Sequence, residues 1–454
     1  MKSLIISLLF LPVATFAKPF QILVIDRENS WPVPLVQLTT THNFTFITDN
    51  AGLIAIDAPE LMNRETWFTL TSDGYQLPAD GFGHQGFRVT PTPGGSHQIK
   101  VDRTIIAKRL GRLTGAGLFA ESQKLGKHLD WQESGIFGCD SIQTTLHRGK
   151  KFWIWGDSNL AHYPLGIFDM TSATTKLRPL GSFEPPLKLP LDYFRASNKR
   201  PRPVAKLPGE GPTWLNGYLS LPDQHGTAHL VATYSKIRNF LDVYQLGLCH
   251  WNEDTKNFES LKVLWTHHSD FPKPPPAPEG HPNIHTEPDG QKWAYFGDPF
   301  PSLRVPAKFE AWQEPAQWEH LTPQTEVPTV EGIKIKPHRG SISWNTFRKK
   351  WVTVFTELDG NPSPLGELWY AESPNPKGPW GPAVKILSHN AYTFYNPRIH
   401  PDLTPEASPI LIFEGTYTTF FSKSPNKTPR YDYNQILYRL DLNDPALSPA
   451  FLPK

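Results

Sequence analysis

Polar and acidic residues hold matching places in a repeated hairpin, and their pairing suggests carboxylate chemistry. Asp140 precedes one strand and Asp157 follows the strand that returns from it, while His281 and Asp298 hold the same places in a later copy. Because the strands of a hairpin are antiparallel, each pair should lie at one end of its ladder. Two carboxyl groups on one face can protonate a leaving oxygen and activate water or attack a sugar, as glycoside hydrolysis requires.

The hairpin occurs five times after residue 136. Its first strands begin near residues 139, 213, 282, 340 and 395, and its second strands are apolar runs such as Phe152–Trp155 and Trp293–Phe296. The copies are about 55 to 75 residues apart. This spacing suits four strands with loops, and radial repetition of such sheets is how a propeller avoids exposed edges. The sequence therefore predicts an all-β fold with a five-bladed β-propeller over residues 136–445.

Five hairpins that face the same way would bring the ends of their strands to one mouth. The candidate catalytic and substrate-binding residues at these ends are Asp140, Asp157, Trp214, His281, His285, Asp298, Arg339, Asn396 and Glu414. The number of polar side chains at one mouth is greater than solubility alone requires. A structural role stays open for Asp157 and Asp298, because an Asp that follows Gly at a strand end is also a common turn former.

Further polar residues follow Glu414 in the last copy. Tyr417 lies three residues later, and Arg430 and Tyr431 lie in a short polar stretch beyond it. Closure of the ring would bring Glu414 beside Asp140, and the three later residues could bind an acidic or hydroxyl-rich sugar. The alternative is that this stretch closes the ring through cross-strand hydrogen bonds.

The histidines do not form a transition-metal pattern. His281 and His285 have a spacing that suits a metal on a helix, but an extended strand does not bring them together, and no Cys or second carboxylate motif accompanies them. One His on the propeller axis could hold water or a calcium ion, and no cofactor is expected to be required. The chain also lacks a Gly-x-Ser-x-Gly elbow and a Gly-rich phosphate loop.

Composition narrows the classes of partner. A formal charge of +2 argues against a nucleic-acid or membrane-surface role. Fifteen Trp and 47 Pro are typical of β-structure with rigid loops and suit a protein that stacks sugar rings. Cys139 and Cys249 leave two alternatives open, one disulfide or two separate thiols.

The N-terminus predicts export. One basic residue precedes an apolar run over 4–13, and Ala17 ends a site suited to cleavage, so we expect a signal peptide over residues 1–17. The run is shorter than the roughly 20 residues that cross a bilayer, and no later segment is long and apolar enough. We therefore expect a monomer that is secreted or periplasmic, with no membrane span.

Residues 18–105 predict a separate small β-domain, followed by a linker over 106–135 and a C-terminal tail over 446–454. Strand-like runs alternate with turns, and the turn over 48–52 carries Asn and Gly where a positive φ is needed. This order of strands, the Thr-Asp-x-x-Gly turn and the later Gly74-Tyr75 resemble the carboxypeptidase-regulatory or transthyretin-like β-sandwich. That resemblance implies an accessory domain without chemistry of its own.

The region from 136 to 445 resembles the five-bladed propeller glycosidases of the arabinanase, xylosidase and fructosidase type. In that type the catalytic base is an Asp at the start of the first inner strand, a place that Asp140 matches. The type's general acid is a Glu in a Glu-x-Pro context before a later blade. Glu210-Gly211-Pro212 looks similar, although it precedes the second blade rather than the third. Glu414 is the rival acid.

These observations predict an exported glycoside hydrolase that acts on a plant or algal polysaccharide or oligosaccharide. Two alternatives stay open. A propeller polysaccharide lyase would abstract a proton beside a uronate carboxylate with a His or Tyr and neutralise that carboxylate with Arg. Its candidate residues are His285, Arg339, Tyr395, Arg398, His400, Arg430 and Tyr431. A non-catalytic sugar-binding propeller would need aromatic residues at the mouth without paired carboxylates.

Overall fold

A computed structural model describes residues 18–239 and 241–453, and this part of the chain is mostly β-structure. The signal peptide predicted over residues 1–17 lies outside the described residues. Within the described part, no helix is long and apolar enough to cross a membrane.

The first eight strands form two four-stranded sheets. They are β1 (Phe20–Asp26), β2 (Gln37–Thr40), β3 (Thr45–Ile47), β4 (Leu53–Ile56), β5 (Thr66–Thr71), β6 (Tyr75–Gln76), β7 (Gly86–Val89) and β8 (Ser96–Arg103). One sheet has the order β4-β1-β8-β6 and the other β3-β2-β5-β7. Apolar side chains of both sheets, among them Ile22, Leu38 and Phe68, are buried in one shared core.

The stretch predicted as a linker contains regular structure. It holds β9 (Lys108–Arg112) and α1 (Ala120–Lys124), and it is followed by β10 (Ile136–Cys139). β9 pairs with the last strand of the chain, where Arg112 lies opposite Ile436. Residues 108–112 are therefore part of a sheet, a pairing that sequence cannot show because its two strands are more than 300 residues apart.

All five predicted hairpins are present, and each belongs to a four-stranded sheet. The strands of the first two sheets, with a small hairpin β13–β14 that pairs with β10, are β11 (Gln143–His147), β12 (Lys150–Trp155), β13 (Ser158–Leu160), β14 (Tyr163–Ile167), β15 (Thr171–Lys176), β16 (Asp192–Tyr193), β17 (Thr213–Pro222), β18 (Ala228–Arg238), β19 (Asp242–Asn252) and β20 (Asn257–Thr266).

The remaining strands build three further sheets and one short ribbon. They are β21 (Asn283–Thr286), β22 (Lys292–Gly297), β23 (Pro301–Pro306), β24 (Glu319–His320), β25 (Val327–Pro328), β26 (Lys334–Ile335), β27 (Pro337–Asn345), β28 (Lys350–Glu357), β29 (Leu368–Ser373), β30 (Val384–Leu387), β31 (Thr393–Ile399), β32 (Ile410–Thr418) and β33 (Asn434–Asp441). Helix α2 (Phe309–Gln313) lies between β23 and β24, β25 and β26 form the ribbon, and β9 completes the fifth sheet.

Both faces of second strands such as β12 and β32 are buried, and consecutive side chains of a strand point to opposite faces. In β12, Phe152 and Ile154 pack in a core shared with the second sheet, whereas Trp153 and Trp155 pack in one shared with the fifth. Three further cores join the second sheet to the third, the third to the fourth and the fourth to the fifth. The contacts between the sheets therefore form a closed cycle.

The two cysteines lie in different sheets. Cys139 ends β10 and Cys249 lies in β19, and both are buried free thiols. Burial raises the pKa of each thiol well above its usual value. Of the two alternatives that the sequence left open, the structure has two separate thiols.

Candidate active site

The first strands of the five sheets all begin at one end of the cycle, here called the mouth end. Hydrogen bonds between neighbouring sheets mark it. They are Gln143 Nε2 to Asn216 Oδ1 at 3.3 Å, Gly280 N to Asn216 Oδ1 at 2.8 Å, Gly340 N to Asp298 Oδ1 at 2.7 Å, and Ser141 N to Thr416 Oγ1 at 3.1 Å. Residues that precede a first strand or follow a second strand therefore meet here.

Asp140 lies between β10 and β11 at the mouth end. Its Oδ2 accepts a hydrogen bond of 2.7 Å from the Tyr395 hydroxyl, and its backbone oxygen accepts one of 2.8 Å from Gly156 N. A Cβ at Gly156 would collide with Oδ1 of Asp140, so glycine is required there for this carboxylate to hold its place. Burial raises the pKa of Asp140 to about 6, although hydrogen bonds from Tyr395 and Tyr433 act in the opposite direction.

Asp157 follows β12 and lies beside Asp140, as the hairpin argument predicts. Its Oδ1 accepts a hydrogen bond of 3.1 Å from the Trp214 indole. Burial, followed by the charge of Asp140, raises the pKa of Asp157 to about 7. The two carboxyl groups therefore share their affinity for protons, and Asp157 holds its proton more tightly than Asp140.

A second pair of carboxyl groups lies at the mouth end of the third and fourth sheets. Asp298 follows β22, and its Oδ2 pairs with Arg339 Nη1 at 2.7 Å. Glu279 lies before β21, within electrostatic range of both Asp298 and Arg339. Burial raises the pKa of Glu279, with Arg339 lowering it and Asp298 raising it further. The Glu279 side chain is exposed to solvent, but neighbouring protein desolvates its carboxyl group, as expected for a residue that lines a concave surface.

The two carboxylate pairs are joined across the mouth. Arg339 lies within electrostatic range of Glu279, Asp298 and Tyr395, and Tyr395 donates its hydrogen bond to Asp140. Asn216 accepts a hydrogen bond from the backbone of Gly280, directly after Glu279. The mouth therefore holds Asp140 and Glu279, both with pKa values raised by burial, together with Tyr395 and Arg339.

Glu279 was not among the residues predicted from the sequence. The signal was present, because Glu279-Gly280 precedes the third hairpin in the way that Glu210-Gly211 precedes the second. Glu210 itself is exposed at the same end of the second sheet, where its backbone oxygen accepts a hydrogen bond of 2.7 Å from Tyr244 in β19. None of the side-chain hydrogen bonds described for residues 18–239 and 241–453 joins Glu210 to the two carboxylate pairs.

Glu414 is not at the mouth, and its prediction as a mouth acid is wrong. Strand β32 continues to Thr418, so Glu414 lies in its middle and is fully buried. Its Oε1 lies 2.8 Å from His400 Nε2. Burial raises the pKa of Glu414 to about 8 and lowers that of His400 well below its usual value, so the two form a neutral hydrogen bond rather than an ion pair.

Of three other residues predicted at the mouth, His285 and His281 are packed or buried within the protein and Asn396 stays near the mouth. His285 packs against Trp344 and Trp351, with ring centroids 6.1 and 5.0 Å away, in the interface of the third and fourth sheets. His281 is buried, and its Nδ1 has no hydrogen-bond partner within the described residues. Asn396 stays near the mouth, where its Nδ2 donates to Ser141 Oγ at 2.8 Å.

The predicted sugar-binding residues of the last copy instead contact the region of the first eight strands and helix α1. The Tyr417 hydroxyl lies 3.3 Å from Asp73 Oδ2, and the buried Tyr431 hydroxyl donates to Thr48 O at 2.8 Å. Arg430 forms an ion pair of 2.6 Å with Glu121. These contacts are structural, because β9 draws the N-terminal region against this sheet.

The residues proposed for a lyase are not brought together. Arg339 and Tyr395 lie at the mouth, but His400 is buried against Glu414, and Arg398 is buried in β31 opposite Glu414 of β32. The remaining members, His285, Arg430 and Tyr431, have the structural partners described above.

The surroundings of His281 do not fit a calcium ion. Arg398 and Arg339 both lie within electrostatic range of its ring, and calcium prefers several oxygen ligands with negative charge. Across residues 18–239 and 241–453, no group of three or more His, Cys, Asp or Glu side chains is arranged to hold a metal ion.

Comparisons with known proteins give structural likeness only. No family model matches the chain, and no curated relative matches it. An exo-1,5-α-L-arabinanase from a bovine ruminal metagenomic library is 11% identical, with a TM-score of 0.39, over 68% of this chain and 95% of that one. A GH43_1 enzyme from Xanthomonas citri complexed with xylose is 9% identical, with a TM-score of 0.39, over 68% and 87%.

An arabinanase from Bacillus subtilis is similar at the same level. It is 10% identical, with a TM-score of 0.36, over 66% of this chain and 93% of that one. At these identities and scores, no residue role is carried over to this chain.

Proposed function

We propose that this chain is a glycoside hydrolase whose active site is the mouth described above. The observation that carries the proposal is the pair of carboxylate clusters at one end of the sheets, joined through Tyr395 and Arg339. Glycoside hydrolysis needs one carboxyl group that holds a proton and one that has lost it, and different environments are how proteins separate the two.

Asp140 is the proposed base or nucleophile. Its pKa of about 6 leaves it ionised near neutral pH, and hydrogen bonds from tyrosine hydroxyls hold the carboxylate in one orientation. Asp157, with its higher pKa, holds the proton of the pair and limits negative charge beside Asp140. Trp214, hydrogen-bonded to Asp157, would present its ring to a sugar at the same edge.

Glu279 is the proposed general acid in place of Glu210 and Glu414. Its raised pKa favours the protonated form that a general acid needs, and its accessibility lets a glycosidic oxygen reach it. The Arg339–Asp298 pair lies beside Glu279 and would contact substrate hydroxyl groups. Asn396, which donates a hydrogen bond to Ser141, would also contact substrate hydroxyl groups.

The proposed architecture is a five-bladed β-propeller over residues 136–445 with a small β-sandwich over 18–105 as an accessory domain. The closed cycle of sheet contacts supports the propeller, and the shared core of the first two sheets supports the sandwich. Residues 106–135 then connect the two domains, and residues 446–454 form a C-terminal tail. Export after cleavage at residue 17 and a monomeric state are part of the proposal.

The proposed substrate is a plant or algal polysaccharide or its oligosaccharides. The test is a panel of arabinan, xylan, β-1,3-galactan, fructan and polygalacturonate, with release of reducing ends and ultraviolet absorbance of unsaturated products measured together. Reducing ends without absorbance are expected from hydrolysis. Absorbance would indicate a lyase, and binding without either product would indicate a sugar-binding propeller.

A further inference from the structure

A cavity of about 770 Å³ lies between the stretch at 113–134 and strands of the first sheet, and it includes the end of β12 that is opposite Asp157. Four cationic side chains line it: Lys150, Lys176, Arg178 and Arg195. None of the four forms a salt bridge within the described residues. Two carboxylates, Glu133 and Asp192, also line it, which leaves a surplus of two positive charges, four minus two.

The two lysines of the cavity lie directly opposite each other in the sheet. Lys150 in β12 lies opposite Lys176 in β15 in the antiparallel register, and both are exposed. Like charges directly opposite on a sheet are destabilising. The chain therefore keeps an unfavourable pair at this position, and an anion between the two ammonium groups would remove its cost.

The floor of the cavity is apolar. Trp131 is half-buried against Phe119, with ring centroids 5.3 Å apart, and Leu189 and Leu191 continue the surface. Basic side chains above an aromatic and aliphatic floor match a sugar chain that carries acidic groups, because pyranose rings have apolar faces. The volume is far larger than one inorganic anion needs.

The basic surface continues along the sheet edge. A second cavity of about 340 Å³ shares Lys150 and Arg195 and adds Arg148 and Lys256. Glu253 pairs with both of these added cations, at 3.3 and 3.0 Å. The two cavities are continuous through these shared residues and together form a groove at the end of β12 opposite Asp157.

We infer that this groove is a second carbohydrate-binding site, specific for acidic oligosaccharides that bear uronate or sulfate groups. The choice of a glycan rests on the proposed function. The site holds an acidic chain away from the mouth, while neutral or acidic residues elsewhere on the same polymer reach Asp140 and Glu279.

The test measures hexagalacturonate binding by calorimetry at two salt concentrations, in an Asp140→Asn background so that no turnover contributes heat. Lys150→Gln/Lys176→Gln should weaken binding by about tenfold or more and flatten its salt dependence. The matched control, Lys100→Gln/Lys377→Gln, removes the same charge from exposed positions outside the cavity and should change affinity less than about twofold. Xylohexaose should not compete.

A thermal melt at low salt checks the fold, and relief of the lysine pair should leave the melting temperature equal or higher. Equal affinity in the double variant, or tighter binding of duplex DNA or phosphatidylserine vesicles than of hexagalacturonate, would overturn the inference. If hexagalacturonate binding depends on the two lysines but the protein hydrolyses nothing on the panel, the proposed hydrolase is contradicted and the second site is supported.

If the protein hydrolyses a substrate but hexagalacturonate binding does not depend on the lysines, the second site is contradicted and the hydrolase is supported.

Discussion

Carboxyl groups with raised pKa values occur both at the mouth end and in the interior of this molecule, and the two places differ in their access to solvent. Asp140, Asp157 and Glu279 lie at the mouth end, where solvent and a ligand can reach them. Glu414 has a pKa raised to about 8, but it is fully buried against His400. A perturbed pKa is therefore a guide to function only together with access to a substrate.

The buried group is enclosed by protein side chains, and neither Glu414 nor His400 is exposed to solvent. Lys151 Nζ lies 2.8 Å from Asp402 Oδ2, and Lys151 is almost fully buried, while Glu414 bonds to His400. These contacts join the first sheet to the fifth at the end away from the mouth. Such a cluster fixes the packing of two sheets, and the cost of burying it explains the shifted pKa values.

The largest expected effect is the loss of turnover in Asp140→Asn. Asparagine keeps the shape of the side chain and can still accept the Tyr395 hydrogen bond, but it cannot accept a proton or attack a sugar. Kinetics and thermal melts should show no turnover in a protein of near wild-type stability. Full activity per folded molecule would remove Asp140 from the mechanism.

The pH dependence of kcat/KM should separate the mouth from the buried group. Activity should rise as Asp140 ionises, with its pKa of about 6, and should fall as Glu279, whose pKa is raised by burial, loses its proton. In Glu279→Gln the fall should disappear while the rise remains. If the fall in kcat/KM disappeared in Glu414→Gln instead, the acid would lie in the buried cluster.

Glu414→Gln should change activity by less than about threefold. Below pH 8 the carboxyl group holds its proton, and glutamine resembles that neutral form in size and hydrogen bonding. Glu414→Ala should instead lower stability by about 2 to 3 kcal/mol, because His400 loses its partner in a buried site. Urea unfolding and steady-state kinetics on both variants test this, and a hundredfold loss in Glu414→Gln would contradict a structural role.

The smallest effect is on stability, in Asp157→Asn. The folded pKa of about 7 lies above the unfolded value of about 4, so the folded state binds the extra proton and stability is lost as the pH rises through this window. The variant should therefore melt a few degrees above the wild type at pH 8. At pH 4 the two should melt together, and a constant difference at all pH values would refute the assigned pKa.

Local pattern predicted much of this molecule, and long-range pairing explains what it missed. The hairpins followed from apolar runs with turn residues between them, and the pairing of Asp140 with Asp157 followed from one hairpin. Glu414 was misplaced because Glu-Gly looked like a strand end, whereas β32 continues to Thr418. Arg430 and Tyr431 were misassigned because β9, from the other end of the chain, brings the N-terminal sheets against them.

Glu279 shows a different limit. It follows a Pro-rich segment that sequence reasoning treats as a connection between hairpins, and the hairpin pattern begins only at Pro282. What gives Glu279 its role is the approach of Arg339 and Asp298 from the fourth and third sheets. Such an approach depends on how the sheets surround the mouth, which no local pattern contains.

The most direct test of the account compares two leaving groups in Glu279→Gln. A general acid matters only when the departing oxygen must be protonated, so the variant should lose about 10² to 10⁴ in kcat on the natural glycosidic bond. On the dinitrophenyl glycoside of the same sugar, whose leaving group needs no proton, kcat should stay within a few-fold of wild type. Equal losses on both substrates, or this same pattern in Glu414→Gln, would contradict the assignment of the acid to the mouth.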